Sequence, residues 1–248
     1  EDNIIKSNFR IADKKLLAFG DFIFKIDEEQ INLNSTIKKS DLYKLGLWEV
    51  PLLMATTLNC DISGFNLDKM DAQIDMHDIS LNFKKDEYLL SGLSLKKENT
   101  SGNINLLKIE SNIADLTLGG QFNLSTVTNS TLALINNYYS FFDATDIDSL
   151  DRNATLYVDF KQPDFLNKHL FKGIEIEEGS IVNANVDYEK NDIQLRVNSG
   201  AISLFGVELL NNSVVVATNN NILSLDYNAD QLILKDSSEY DKTVFGVD

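Results

Sequence analysis

The chain has 248 residues, 43 % hydrophobic and 24 % charged, which is enough apolar material for a folded core and too much for a wholly disordered chain. Its 38 acidic and 22 basic residues leave a formal charge of −16, which opposes binding to nucleic acid and to anionic lipid headgroups. The single cysteine, Cys60, permits no internal disulfide, no stretch approaches the ~18 continuous apolar residues of a membrane span, and no signal peptide opens the sequence.

Alternation of apolar and polar residues, the period of a strand with two unlike faces, is the dominant signal. It predicts strands over residues 19–26, 30–37, 55–62, 71–76, 79–83, 88–95 and 104–109 in the first half. Between Met76 and Ile79 the apolar set jumps by three positions instead of two, as a β-bulge or bend requires. Alternation is cleanest over Leu116 to Leu124, where Leu116, Leu118, Phe122 and Leu124 share one side. It continues through residues 156–160, 181–188, 193–197, 202–204 and 223–227, for about fourteen strands in all.

Three stretches depart from it, and short helices are expected there. Residues 127–142 place Leu132, Ile135, Tyr139 and Phe142 at helical spacing. Residues 164–171 follow Pro163 with Asp164 as cap, and residues 40–46 end on Gly46. With only 2 Pro and 12 Gly, the chain breaks mainly at Asn, Asp and Ser, and no connection is long enough to link domains. Residues 1–248 therefore read as one segment. Opening on Glu1 without a methionine and stopping at Asp248, it reads as part of a longer protein.

No catalytic signature is present: there is no G-x-S-x-G, Walker loop, H-E-x-x-H or C-x-x-C. His77 and His169 lie far apart, and Cys60 sits in an alternating strand as a small hydrophobe would. Acidic pairs such as Asp146 with Asp148 arise by chance among 38 acids and read as a solvated outer face. Asp226, Asn228 and Asp230 have the spacing of part of a calcium loop but lack its glycine and terminal glutamate. A non-enzyme without cofactor or metal is expected.

Several phrases together resemble the TamB family of AsmA-like, repeating β-groove proteins, in its Bacteroidetes form. Ile109 to Leu124 is similar to a family strand in which Ser-Asp-Phe-Ala-Asp leads into Gly-x-Phe, although Asn112 and Ile113 replace the Asp and Phe. Leu132 to Phe142 resembles the short helix with an aromatic-rich end that follows. Asp41 to Leu47 is similar to the phrase Ala-Asp-Leu-x-x-Leu-Gly-Leu, and residues 154–188 and 199–207 resemble succeeding blocks, so the likeness covers residues 30–235 in order.

The resemblance implies an elongated, curved antiparallel β-sheet forming an apolar groove, in a periplasmic protein anchored in the inner membrane by a segment not present here. It implies phospholipid transport to the outer membrane or outer-membrane protein assembly, with phospholipid acyl chains or unfolded outer-membrane polypeptide as cargo and a TamA-like barrel as partner. The lining residues expected on the apolar face are Leu58, Ile62, Ile74, Met76, Leu93, Leu95, Leu116, Leu118, Phe122, Leu156, Val158, Phe160, Val186, Leu195, Val197, Leu204, Leu223 and Leu225. The same pattern also suits a closed β-sandwich or solenoid binding module of a secreted protein, whose interior those side chains would fill. A carbohydrate-active enzyme fits less well, because Trp48 is the only tryptophan available for sugar stacking.

Overall fold

A computed structural model describes residues 3–100, 104–139, 143, 148, 151–171, 173–219, 222–235 and 242–246. The protein is predominantly β, with 65 % of residues in strands and 7 % in helices, built as an open antiparallel sheet with two short helices. The closed sandwich is not the architecture adopted. The chain divides into two compact units, Glu1–Asn99 with Leu107–Asn112, and Thr100–Leu106 with Ile113–Asp248.

The first unit contains β1 (Ile4–Ala12), β2 (Leu16–Lys25), β3 (Gln30–Asp41), β4 (Leu53–Ser63), β5 (Asp71–Phe83) and β6 (Asp86–Thr100). Each strand pairs antiparallel with the next in sequence. Tight turns make this meander possible, and Glu29 (φ 49°) and Lys84 (φ 58°) supply left-handed turn positions. At Gly20 the neighbouring strand comes so close that an added Cβ would fall 2.0 Å from the Asn34 carbonyl oxygen. Strand β7 (Ile104–Ser111) follows.

The second unit contains β8 (Ala114–Gln121), α1 (Val127–Asn136), β9 (Asn153–Phe160), α2 (Asp164–His169), β10 (Ile174–Ile176), β11 (Ile181–Asp187), β12 (Asp192–Leu204), β13 (Val207–Asn219), β14 (Ile222–Asn228), β15 (Gln231–Lys235) and β16 (Lys242–Gly246). Hydrogen-bonded order runs β8, β9, β11, β12, β13 and β14, all antiparallel. Two strands take a split partner. β12 pairs with β11 along one half and β10 along the other, and β13 likewise with β14 and β15.

A crease crosses the long strands of each unit. In the first it passes through register breaks at Leu17/Ala18, between Ile37 and Ser40, and between Ala55 and Thr57. On β5 it falls at Asp78, whose positive φ of 50° lets the apolar set step from Met76 to Ile79, as the three-residue jump in sequence implies. In the second unit Asn211 (φ 48°) occupies the equivalent place on β13. Buried hydroxyl side chains line these breaks and satisfy the backbone there: Thr56 Oγ1 donates to the His77 carbonyl (2.9 Å), and Ser199 Oγ to that of Ala201 (2.7 Å).

The helices differ from expectation in extent. Residues 42–46 form hydrogen-bonded turns, not a helix, because Leu42 N is drawn to the Leu52 carbonyl (2.9 Å) and Leu47 N closes back on Leu42 (2.9 Å). Helix α1 stops at Asn136, and the expected extension to Phe142 ends outside the described residues.

Candidate functional site

Strand register decides which side chains share a face, and in both units it gathers most of the apolar ones on one side. In the second unit Leu116, Val158, Val182, Val197, Val214 and Tyr227 stand side by side across six strands. Next to that row run Leu118, Leu156, Ala184, Leu195, Val216 and Leu225. At ~4.8 Å per strand the two rows form an apolar floor ~24 Å long. None of these side chains is fully buried, and Leu225 is 67 % exposed.

The two sides of this floor are banked. Along one side α1 lies over the sheet, where Phe122, Val127, Leu134, Ala154, Val186, Tyr188 and Ile193 form the core cluster. Three oxygen-mediated contacts seat its N-terminal turn: Asp151 accepts from Asn123 N (2.7 Å), Thr126 Oγ1 (2.9 Å) and Ser130 Oγ (2.5 Å). The helix has no acidic residue in its own first turn, so Asp151 supplies the negative charge that its N-terminus favours. Tyr188 is buried against it with its hydroxyl 2.7 Å from Thr131 Oγ1, and burial holds that phenol above its usual pKa. Between α1 and the floor runs an apolar slot of about 260 Å³, reached by Leu118, Leu156 and Ala184. On the other side Phe160 is buried and meets Phe171 edge-on at 6.2 Å, just after α2. Asn167 fixes α2 to β10 by donating to the Ile176 carbonyl (2.9 Å) and accepting from Ile176 N (3.0 Å).

The first unit repeats the design with three rows. These are Ile5, Phe24, Ile31, Ile62, Ala72 and Lys97; Ser7, Phe22, Leu33, Cys60, Ile74 and Leu95; and Phe9, Gly20, Ser35, Leu58, Met76 and Leu93. Its large aliphatic side chains between β2 and β6 are half-buried. Lys97 is the exception in kind: a fully buried lysine whose Nζ donates to the Met70 carbonyl (2.6 Å). Burial pulls its ammonium below the usual lysine pKa, against the opposing influence of Asp71 and Asp68. Phe65 of the adjoining loop packs on Phe24 at 5.9 Å.

The opposite faces are mainly polar, with Phe19, Ile23 and Tyr157 among the exceptions. Asp21, Asn34, Asn59, Asp75 and Ser94 make one row, and Asn34 donates to Asp21 (3.2 Å). On the second unit a hollow of about 460 Å³ is lined by Asn183, Asn185, Gln194 and Arg196 over Val215 and Ala217.

Of the residues expected to line a groove, Leu58, Ile62, Ile74, Met76, Leu93 and Leu95 are brought onto the apolar face of the first unit. Leu116, Leu118, Leu156, Val158, Leu195, Val197 and Leu225 are brought onto that of the second. Four are corrected. Phe122 (1 % exposed) is core beneath α1, and Val186 and Phe160 are buried under the two banks. Leu204 lies beyond the crease, at the β12–β13 hairpin opposite Val207. Leu223 is half-buried against the α1 cluster at the margin. Missed residues include Val182, Val214, Val216, Phe22 and Leu33; the run Val214-Val215-Val216 hid its period because both faces take valine there.

The histidines stand apart, His77 exposed on the polar face of β5 and His169 against the Phe165 ring at 5.3 Å. Among the described residues no helix is long and apolar enough to cross a membrane, which says nothing of a β-barrel. Fold and site define an open-sheet protein with banked apolar troughs. No protein-family model, curated protein or solved structure matches the chain.

Proposed function

We propose that the apolar troughs bind lipid acyl chains, as a segment of a periplasmic, TamB/AsmA-like protein anchored in the inner membrane. In this role it supports phospholipid transport to the outer membrane or outer-membrane protein assembly. One observation carries the reading: two rows of apolar side chains, six strands across, aliphatic but for Tyr227, lie half-buried on five strands and exposed on β14, between helical banks instead of under a second layer. A hydrocarbon chain laid in the trough removes its own surface and the floor's from water, at up to ~0.8 kcal/mol per methylene buried. The floor repeats every ~4.8 Å with near-identical chemistry, so a chain can shift along it between equivalent positions. No nucleophile, metal or nucleotide enters this scheme. The resemblance to the TamB family points the same way and adds a TamA-like barrel as the partner of the whole protein.

Native mass spectrometry with lipid extraction on the purified chain tests the reading. Copurifying phospholipid that is lost in Leu195→Arg is the expected result. A lipid-free, folded protein that takes up no phospholipid from vesicles would overturn it.

A further inference from the structure

A lysine ends an apolar row of the first trough. Lys97 follows Phe24, Ile31, Ile62 and Ala72 across the sheet from β2 to β6, and it is 1 % exposed. A buried ammonium is costly unless an anion pairs with it. Among the described residues Lys97 forms no ion pair, and its acceptors are two backbone oxygens, the carbonyls of Met70 (2.6 Å) and Asp68 (3.5 Å). Asp71 and Asp68 favour its charge through space.

Both oxygens belong to the loop of residues 64–70 between β4 and β5, and the same loop sets Phe65 on Phe24 at the opposite end of the row, with ring centroids 5.9 Å apart. The row is thus met by an apolar group at one end and by oxygen at the other, the layout of an amphiphile with an acidic head. The loop closes on itself: the amides of Lys69 (2.9 Å) and Met70 (2.7 Å) donate to the Asn66 carbonyl, and that of Asp68 to Asn66 Oδ1 (2.9 Å). Its tie to β6 beside Lys97 is Asn99, whose Nδ2 donates to the Asp68 carbonyl (2.8 Å). Phe65 remains 53 % exposed, so its hold on Phe24 is partial.

We propose that the row from Phe24 to Lys97 is a binding site for a single-chain amphiphile with an oxyanion head, a fatty-acid carboxylate or a lipid phosphate, and that the 64–70 loop occupies it as an autoinhibitory stand-in. The loop lifts as a unit about Gly64, which has a φ of 80°. The incoming chain takes the place of Phe65 on Phe24, and the oxyanion takes the place of the two carbonyls on the Lys97 ammonium. An oxyanion is a stronger acceptor than a carbonyl and supplies the counter-charge that this lysine lacks. The net charge of −16 opposes anions at long range, so the apolar row provides the affinity and Lys97 the preference among headgroups. The inference rests on the acyl-chain reading of the troughs and adds to it the headgroup class of the first.

Cys60 is the only cysteine and stands two residues along β4 from Ile62, so its alkylation by iodoacetamide reads the first trough alone. The purified chain is titrated at pH 8 with decanoate, decyl phosphate and decanol, each below its solubility and micelle limits, and the slowing of alkylation gives three affinities. At least one of the two oxyanions should bind roughly tenfold or more tightly than decanol, the scale of a charge-assisted hydrogen bond, and the tighter of the two identifies the source of the head. Lys97→Met should bring that ratio to about one, whereas a change of stability alone would move all three ligands together. Phe65→Ser, at a half-exposed loop position, should raise all three affinities severalfold by loosening the loop, with circular dichroism confirming the fold of both variants. Equal protection by oxyanions and alcohol in the wild type overturns the headgroup site and leaves acyl binding standing; protection by none of the three overturns both. A ratio that survives Lys97→Met, or affinities unmoved by Phe65→Ser, refutes the part assigned to that residue.

Discussion

Replacing Phe122 and Leu225 separately by alanine measures whether the trough is open. The two side chains lie on the same apolar side of the second unit, but Phe122 is 1 % exposed beneath α1 and Leu225 is 67 % exposed on the floor. Truncating a buried phenylalanine costs ~3–5 kcal/mol, because the lost transfer energy is joined by a cavity that α1 and the sheet cannot close. Leu225 has about a third of its surface to lose, and full burial of leucine contributes ~1.5–3 kcal/mol, so its loss costs ~0.5–1 kcal/mol. The weaker strand propensity of alanine adds at most ~1 kcal/mol. In urea, with a slope of ~2–3 kcal/mol per molar, Phe122→Ala lowers the midpoint by ~1–2.5 M and Leu225→Ala by ~0.2–1 M. Circular dichroism at 218 nm follows both. Equal losses would mean that a layer covers Leu225 in solution, and the open-trough reasoning would fail.

Three further outcomes are expected. Asp151→Ala removes three hydrogen-bond acceptances at once and should cost ~3 kcal/mol, with amide exchange accelerating first in α1; uniform acceleration across the second unit would contradict the local role of this carboxylate. Burial, aided by Asp61, pushes the Cys60 thiol above its usual pKa, so iodoacetamide should alkylate it more slowly at pH 8 than in the unfolded chain. Because Cys60 lies on the floor of the first trough, dodecyl-chain lipid should slow it further, and an unaltered rate would place acyl chains elsewhere. For Lys97 the folded-state pKa lies below the ordinary 10.5, so the unfolded chain holds the proton over that window. Stability should therefore rise with pH through the window relative to Lys97→Met, and a parallel pair of pH profiles would show that the buried ammonium carries no penalty.

The two-faced sheet was legible in the sequence because alternation survives wherever one face is apolar and the other wet, as from Leu116 to Leu118 or Ile193 to Val197. What alternation could not convey is where the chain leaves the sheet. Phe122 continues the phase of Leu116 and Leu118, yet β8 ends at Gln121. Gly120, at φ 146° and close against the Asn153 carbonyl, turns the following residues beneath α1. Leu204 was misplaced for a related reason: the left-handed Asn211 interrupts β13 across from Gly200, and sequence phase does not carry across the crease. Strand β1 escaped notice although Ile5, Phe9 and Ile11 alternate within it, since Lys6, Asn8 and Arg10 made the stretch read as polar. Asp151 was invisible as a structural residue because its partners stand 21 to 28 positions away.

Cover, more than pattern, separates a trough from a core. The polar face of each unit is already suited to water, so only the apolar face calls for a second layer. The second unit supplies ten residues of α1 and six of α2 for that purpose. At 1.5 Å per residue α1 is ~15 Å long, against a floor ~24 Å long and two rows wide. Of its ten residues only Val127, Ser130, Ala133 and Leu134 are buried, enough to cover the row of Ala154, Val186 and Ile193 and no more. Lengthening the helix would not change this, because its fixing points, Asp151 at one end and Tyr188 at its middle, hold it along the bank and off the floor. The uncovered rows are thus a consequence of where α1 is tied. An apolar ligand in the trough substitutes for the missing layer, which predicts that binding should raise the unfolding midpoint of the wild type while leaving that of Leu195→Arg unmoved.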